Sequence, residues 1–63
     1  MSEERQIKPF RWDDRKYHLV TQFEDEGKRY FVFKFFGRYH QYWHYEIWSE
    51  YEYDLKMKLI HAK

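Results

Sequence analysis

His40 and His44 sit four residues apart, a spacing that suits a shared metal ion on a helix, where both imidazoles fall on one side. On a strand the same two rings stand ~13 Å apart, beyond the reach of one ion. The segment Tyr39–Trp48 reads as a strand, the chain has no cysteine, and no carboxylate converges on the pair, so no metal is expected. Nucleophiles fare no better: Ser2, Ser49 and Thr21 are the only serine and threonine hydroxyls, and none lies in a nucleophile motif. Gly27 and Gly37 are too isolated to form a phosphate-cradling loop. Asp13-Asp14 and Glu24-Asp25-Glu26 fall at turns, where solvation accounts for them. A chain of 63 residues also has little room for a concave pocket, so the expectation is a protein that is not an enzyme and carries no cofactor.

What these residue types do suit is adhesion. Tyr30, Val32, Lys34, Phe36, Tyr39, Trp43, Tyr45 and Ile47, bordered by Lys28, Lys56 and Lys58, interleave rings with cations. Protein interfaces are rich in Tyr, Trp, Phe and Arg. Single-strand nucleic-acid binders use rings as stacking platforms beside Lys or Arg that follow the phosphates. With 12 basic and 11 acidic side chains the net charge is +1, which supplies no bulk pull towards nucleic acid or an anionic membrane. Together with the acidic clusters at 24–26 and 46–54, this favours a protein partner, with single-stranded nucleic acid as the alternative.

The element that must position this surface is Lys28–Phe36, apolar on both of its alternating faces. As a strand it places Phe31, Phe33 and Phe35 on one side and Tyr30, Val32, Lys34 and Phe36 on the other, which suits the middle of a sheet. Around it, residues 1–5 read as a polar tail and residues 6–63 as one small β domain. Gln6–Trp12 reads as a short edge strand that tolerates Pro9. Arg15–Glu24 alternates, with Tyr17, Leu19, Thr21 and Phe23 on one face. Asp25-Glu26-Gly27 fits a three-residue hairpin loop that sets Leu19 against Phe33. A two-residue turn at Gly37-Arg38 would set Phe36 against Tyr39, Val32 against Trp43 and Tyr30 against Tyr45.

Tyr51–Leu59 decides the fold class. Strand alternation collects Tyr51, Tyr53, Leu55, Met57 and Leu59 on one face, whereas a helix leaves no clean apolar stripe, so a strand is expected. The alternative is a C-terminal helix, signalled by good helix formers and by Ser49-x-x-Glu52, a capping-box pattern. The expected architecture is therefore all-β: a four- to five-stranded antiparallel meander, curled or closed into a small barrel, or else a sheet with a C-terminal helix. Its core face would hold Phe10, Trp12, Tyr17, Leu19, Phe23, Phe31, Phe33, Phe35, Tyr42, Trp48, Tyr53, Leu55, Met57 and Leu59. A single sheet with so apolar a second face must curl or pack on another surface, which makes a homodimer a further expectation. No apolar run approaches ~20 residues and the N-terminus is polar, so neither a spanning helix nor a signal peptide is expected, and the cytoplasm is the expected location.

One stretch resembles a known family motif. Lys28-Arg29-Tyr30-Phe31-Val32-Phe33-Lys34-Phe35-Phe36 is similar to a degenerate form of the box by which replication proteins bind the DNA sliding clamp: a Gln, an aliphatic residue three further on, then two aromatics. Val32, Phe35 and Phe36 match the aliphatic and aromatic positions, and Arg29 stands where Gln is expected. The resemblance covers nine residues and adds Phe35 to the partner-binding candidates. It implies a small regulator, similar to the clamp inhibitors of some archaea, that blocks a PCNA-type clamp.

Overall fold

The computed structural model describes residues 4–62. Four antiparallel strands in sequential order, β1 (Phe10–Trp12), β2 (Arg15–Asp25), β3 (Lys28–Phe36) and β4 (Trp43–Ser49), form an open meander, and α1 (Glu50–Ile60) follows. The sheet does not close into a barrel. The central strand stands where alternation places it, with Phe31, Phe33 and Phe35 buried at 0%, 0% and 6% exposure. Tyr17 and Trp48 join them, and Tyr53 comes down from the helix. No helix among the described residues is long and apolar enough to cross a membrane.

Several local corrections follow from backbone chemistry. The β2–β3 loop has two residues, not three: Glu26 and Gly27 take positive φ (52° and 76°), as a type I′ hairpin turn demands, and Asp25 pairs with Lys28. The register then shifts between Leu19 and Thr21, so Val20 is the extra residue of a β-bulge. The bulge restores the expected pairing of Leu19 with Phe33. Between bulge and turn, however, every side chain changes sides, so Phe23 and Thr21 leave the core face and Gln22 enters it.

The β3–β4 connection is also longer than a tight turn. Gly37–Tyr42 form a loop closed by Gly37 N–H donating to the Tyr42 carbonyl (2.9 Å) and Gln41 N–H donating to that of Gly37 (3.0 Å). Phe36 therefore pairs with Trp43, Lys34 with Tyr45, Val32 with Ile47 and Phe31 with Trp48. Sliding β4 by four residues brings the Trp48 ring over the centre of the core, 5.0 Å from Phe33 and 4.8 Å from Tyr17. Tyr42, expected in the core, is left in the loop and 55% exposed. Because four is even, Trp43, Tyr45 and Ile47 keep the face that alternation assigns them.

The C-terminal segment is a helix, the alternative of the two readings. Ser49 is its N-cap, with Oγ accepting from Glu52 N–H (3.1 Å), Glu50 and Glu52 fill the first turn and Lys58 the last. Lys56 reaches back one turn to Glu52 (2.8 Å). The missing apolar stripe is real: Tyr51, Leu55 and Leu59 are exposed, and Tyr53 alone is buried, its ring 5.2 Å from Phe31 and 5.9 Å from Phe33. Capping and propensity together with this one anchor outweigh the alternation of Tyr51–Leu59.

The N-terminal side is also more ordered than a polar tail. Residues 1–3 of the segment expected to be a tail lie outside the described residues. Arg5 is held by its Nη1 donating to Glu50 (3.1 Å) and Asp54 (3.0 Å), and its backbone pairs with the Gln22 amide in both directions (2.9 Å each). Its guanidinium lies 5.3 Å from the Tyr53 ring centroid. The strand expected over Gln6–Trp12 starts only at Phe10, and Asp13 and Asp14, both left-handed (φ 53° and 61°), turn it into β2.

Candidate binding face

Helix and N-terminal arm lie on the same side of the sheet, over Phe31, Phe33 and Trp48. No described segment covers the other side. Register rows define it: Phe23 beside Tyr30, Thr21 beside Val32 and Ile47, His18 beside Lys34 and Tyr45, then Phe36 beside Trp43. Alternation extends the last row to Lys16 and its β1 partner Arg11. Ile47 is 61% exposed, Tyr45 62%, Phe36 53% and Trp43 43%. The rings on this face touch mainly one another. Phe23 stacks on Tyr30 (5.3 Å), and Phe36 and His18 meet Trp43 edge-on (5.4 and 5.8 Å). The Lys34 ammonium lies 4.6 Å from the Trp43 centroid.

Of the expected binding residues, Tyr30, Val32, Lys34, Phe36, Trp43 and Tyr45 lie together on this face. Tyr39 does not join a strand; it stands in the 37–42 loop, 88% exposed. Phe35 is a core residue, buried between Tyr17 (5.0 Å) and His44 (5.1 Å, stacked), with the Arg15 guanidinium 4.7 Å from its centroid. It cannot contact a partner docked on the open side. Lys56 is on the closed side, its ammonium 3.9 Å from the Trp48 centroid and ion-paired with Glu52. Lys58 belongs to the same helix and likewise leaves the candidate face. Alternation missed Phe23, which only the bulge turns outward, and passed over His18, Lys16 and Arg11, which period-two arithmetic places beside Lys34 and Phe36.

Charge is sorted between the two sides. The acids at 46–54 are on the closed side or its rim and are neutralised there: Glu46 by Arg15, Glu50 and Asp54 by Arg5, Glu52 by Lys56. Glu24 pairs with Arg29, which shares the core-facing parity of Phe31. On the open side, Asp25 at the far turn, opposite Lys28, is the one acid that alternation places among the strand residues, whereas Arg11, Lys16 and Lys34 gather at the Trp43 end. Among the described residues no carboxylate lies within ion-pair distance of Lys16 or Lys34. A net charge of +1 thus conceals a basic end on one face.

The His pair is closer than a strand would hold it. His40 lies in the loop, its ring 5.9 Å from that of His44. Among the described residues no group of three His, Cys, Asp or Glu side chains is arranged to hold a metal. His44 instead fills the space over Gly37, where a Cβ would come 2.5 Å from its Nε2. A hollow of about 450 Å³ opens beside this pair, lined by Asp14, Arg15, Arg38 and His40 among others, and the Asp14 carboxylate there is engaged by Arg38 (3.1 Å) and Arg11 (3.5 Å).

No protein-family model, no curated protein and no solved structure matches the chain.

Proposed function

We propose that this protein is a non-catalytic binding module that engages another protein through the open face of its sheet. One observation carries this reading: Val32, Ile47, Tyr45 and the Phe23–Tyr30 stack form a contiguous apolar surface that no described segment of the chain covers. Contiguous apolar surface on so small a domain is the usual signature of an interaction site. Rigid aromatic anchors on a strand scaffold also lose little side-chain entropy on docking. A module of this kind acts as a regulator by occupying its partner's surface.

The DNA sliding clamp is the named candidate partner. Phe35 and Phe36 point to opposite sides of β3, so the clamp would be met by Val32, Phe36 and their neighbours on the sheet, and not by a peptide presenting both rings. The test is a pull-down from nuclease-treated extract, and a binding assay with purified clamp, using the wild type and Ile47→Asp after both are shown to be folded. Wild-type binding weakened at least ~30-fold in the variant, the scale of an interface hot spot of 2 kcal/mol or more, supports the reading. Equal retention by both proteins sinks it.

A further inference from the structure

The open face is not uniform, and its two halves differ in chemistry. Towards the β2–β3 turn it is Phe23, Tyr30, Val32 and Ile47. Past the row Thr21–Val32–Ile47 it becomes His18, Lys34, Tyr45, Phe36, Trp43 and Lys16. Three features at this second end point the same way. First, three basic side chains, Arg11, Lys16 and Lys34, lie here; among the described residues Lys16 and Lys34 have no carboxylate within ion-pair distance, Arg11 makes a 3.5 Å contact with Asp14 at the β1–β2 turn, and the acids of 46–54 are neutralised on the far side of the sheet. Second, Trp43, Phe36 and Tyr45 present solvent-exposed rings on two paired strands, Trp43 and Tyr45 two residues apart on β4 and Phe36 opposite Trp43. Third, Trp43 is packed by Phe36 and His18 at near-perpendicular ring planes and by the Lys34 ammonium 4.6 Å from its centroid, so the ring is held in place before any ligand arrives, and Lys34 exchanges the ring for a phosphate when a base stacks there.

We infer that this end of the face binds single-stranded nucleic acid. Unpaired bases stack on Trp43, Tyr45 and Phe36, and Arg11, Lys16 and Lys34 neutralise the phosphates that run alongside. The open side is a sheet surface with no described element projecting from it to enter a duplex groove, so the strand must present its bases unpaired. The balance of whole-chain charge argues against nucleic acid only if the charges are mixed, and here the acids of 46–54 lie across the sheet, with Asp14 the acid in contact with this end. This site shares Tyr45 and Phe36 with the protein-binding reading, but it takes a different ligand and is tested with that ligand alone, so the two readings fail separately.

The experiment is fluorescence anisotropy with a labelled oligo-dT of about 20 nucleotides, and with the same strand annealed to its complement, at several salt concentrations. With three phosphates neutralised, binding of the single strand should weaken about 20-fold between about 50 and 200 mM salt. Trp43→Ala, removing one stacking ring at a partly exposed position, should weaken binding about 5- to 140-fold. Lys34→Gln should lower the salt slope by about 0.7. Leu59→Ser, exposed on the helix across the sheet from this face, should leave oligonucleotide binding within about twofold, since a distant site adds independently. Circular dichroism of each variant confirms that it is folded. The inference is overturned by no binding at the lowest salt, by a preference for the duplex, or by binding that folded Trp43→Ala and Lys34→Gln both leave unchanged. A nuclease-resistant protein partner lost on Trp43→Ala, with no oligonucleotide binding, would likewise overturn it and give this end to a protein.

Discussion

The two sides of β3 begin with similar apolar content and end differently. Phe31, Phe33 and Phe35 are buried to 6% exposure or less, while Phe36, one residue further on, is 53% exposed and Val32 is only half-buried. Intrinsic hydrophobicity does not separate them. What does is which side Tyr53, Phe10 and Arg5 cover: the Phe10 ring lies 5.2 Å from Phe33, and the Arg5 guanidinium 5.8 Å from the Phe31 centroid. One helix and one arm can cap one side of a four-stranded sheet. The side that stays bare is therefore free to be specified by something other than stability.

If that division holds, the largest effect belongs to the closed side. Phe33→Ala should cost ~3–5 kcal/mol, comparable to the whole stability of ~3–9 kcal/mol of a chain this length, and should leave the protein largely unfolded by circular dichroism at 25 °C. Gly37→Ala tests whether the closed side reaches into the loop. Its Cβ would meet the His44 ring, itself packed on Phe35 and Tyr42, and should cost ~1–3 kcal/mol in urea unfolding. Combining it with His44→Ala should cost less than the sum of the two single changes. Ser49→Ala removes the cap of the covering helix and should cost ~1 kcal/mol by the same measurement.

A smaller effect should appear in alkali. Burial, as the main cause, raises the phenols of Tyr17 and Tyr53 above the ordinary 10.0, partly offset by Arg15 and Arg5. The folded state thus holds these phenols neutral more firmly than the unfolded chain does. Their contribution is fully present below pH ~10, the unfolded value, and is lost as pH rises through the folded values. Melting temperatures should therefore fall above that pH, and less steeply in Tyr53→Phe. The smallest effect sharpens the contrast most: Ile47→Thr on the open side should change stability by no more than ~0.5 kcal/mol. A large loss of stability there would mean that the open side supports the fold after all.

Much of this was legible from alternation alone. Period two put Phe31, Phe33 and Phe35 on the inside and Tyr30, Val32, Lys34 and Phe36 on the outside. It also kept Trp43 and Tyr45 outside, because the β4 register slid by an even number of residues. Asp13-Asp14 announced its turn. Elsewhere, local patterns competed. Glu26-Gly27 serves a two-residue turn as well as a three-residue loop, and only the bulge at Val20, which has no sequence mark of its own, reconciles turn and core and sends Phe23 outward. In Tyr51–Leu59, strand alternation and the Ser49 cap gave opposing signals, and tertiary anchoring by Tyr53 decided for the helix, carrying Lys56 to the closed side. Phe35 entered the candidate face through motif resemblance against its own parity, and parity was the better guide to its position.

The strand order β1-β2-β3-β4 also has a kinetic consequence. Every ladder joins neighbours in sequence, so each hairpin can close over a short loop, and a chain of such local contacts folds quickly for its strand content. The tie from Arg5 to Asp54, which spans 49 residues, has the largest loop-closure entropy to overcome and should form after the folding barrier. An interaction made that late leaves the rate of folding untouched and slows escape from the native state, so the N-terminal arm lengthens the time the folded protein lasts between openings.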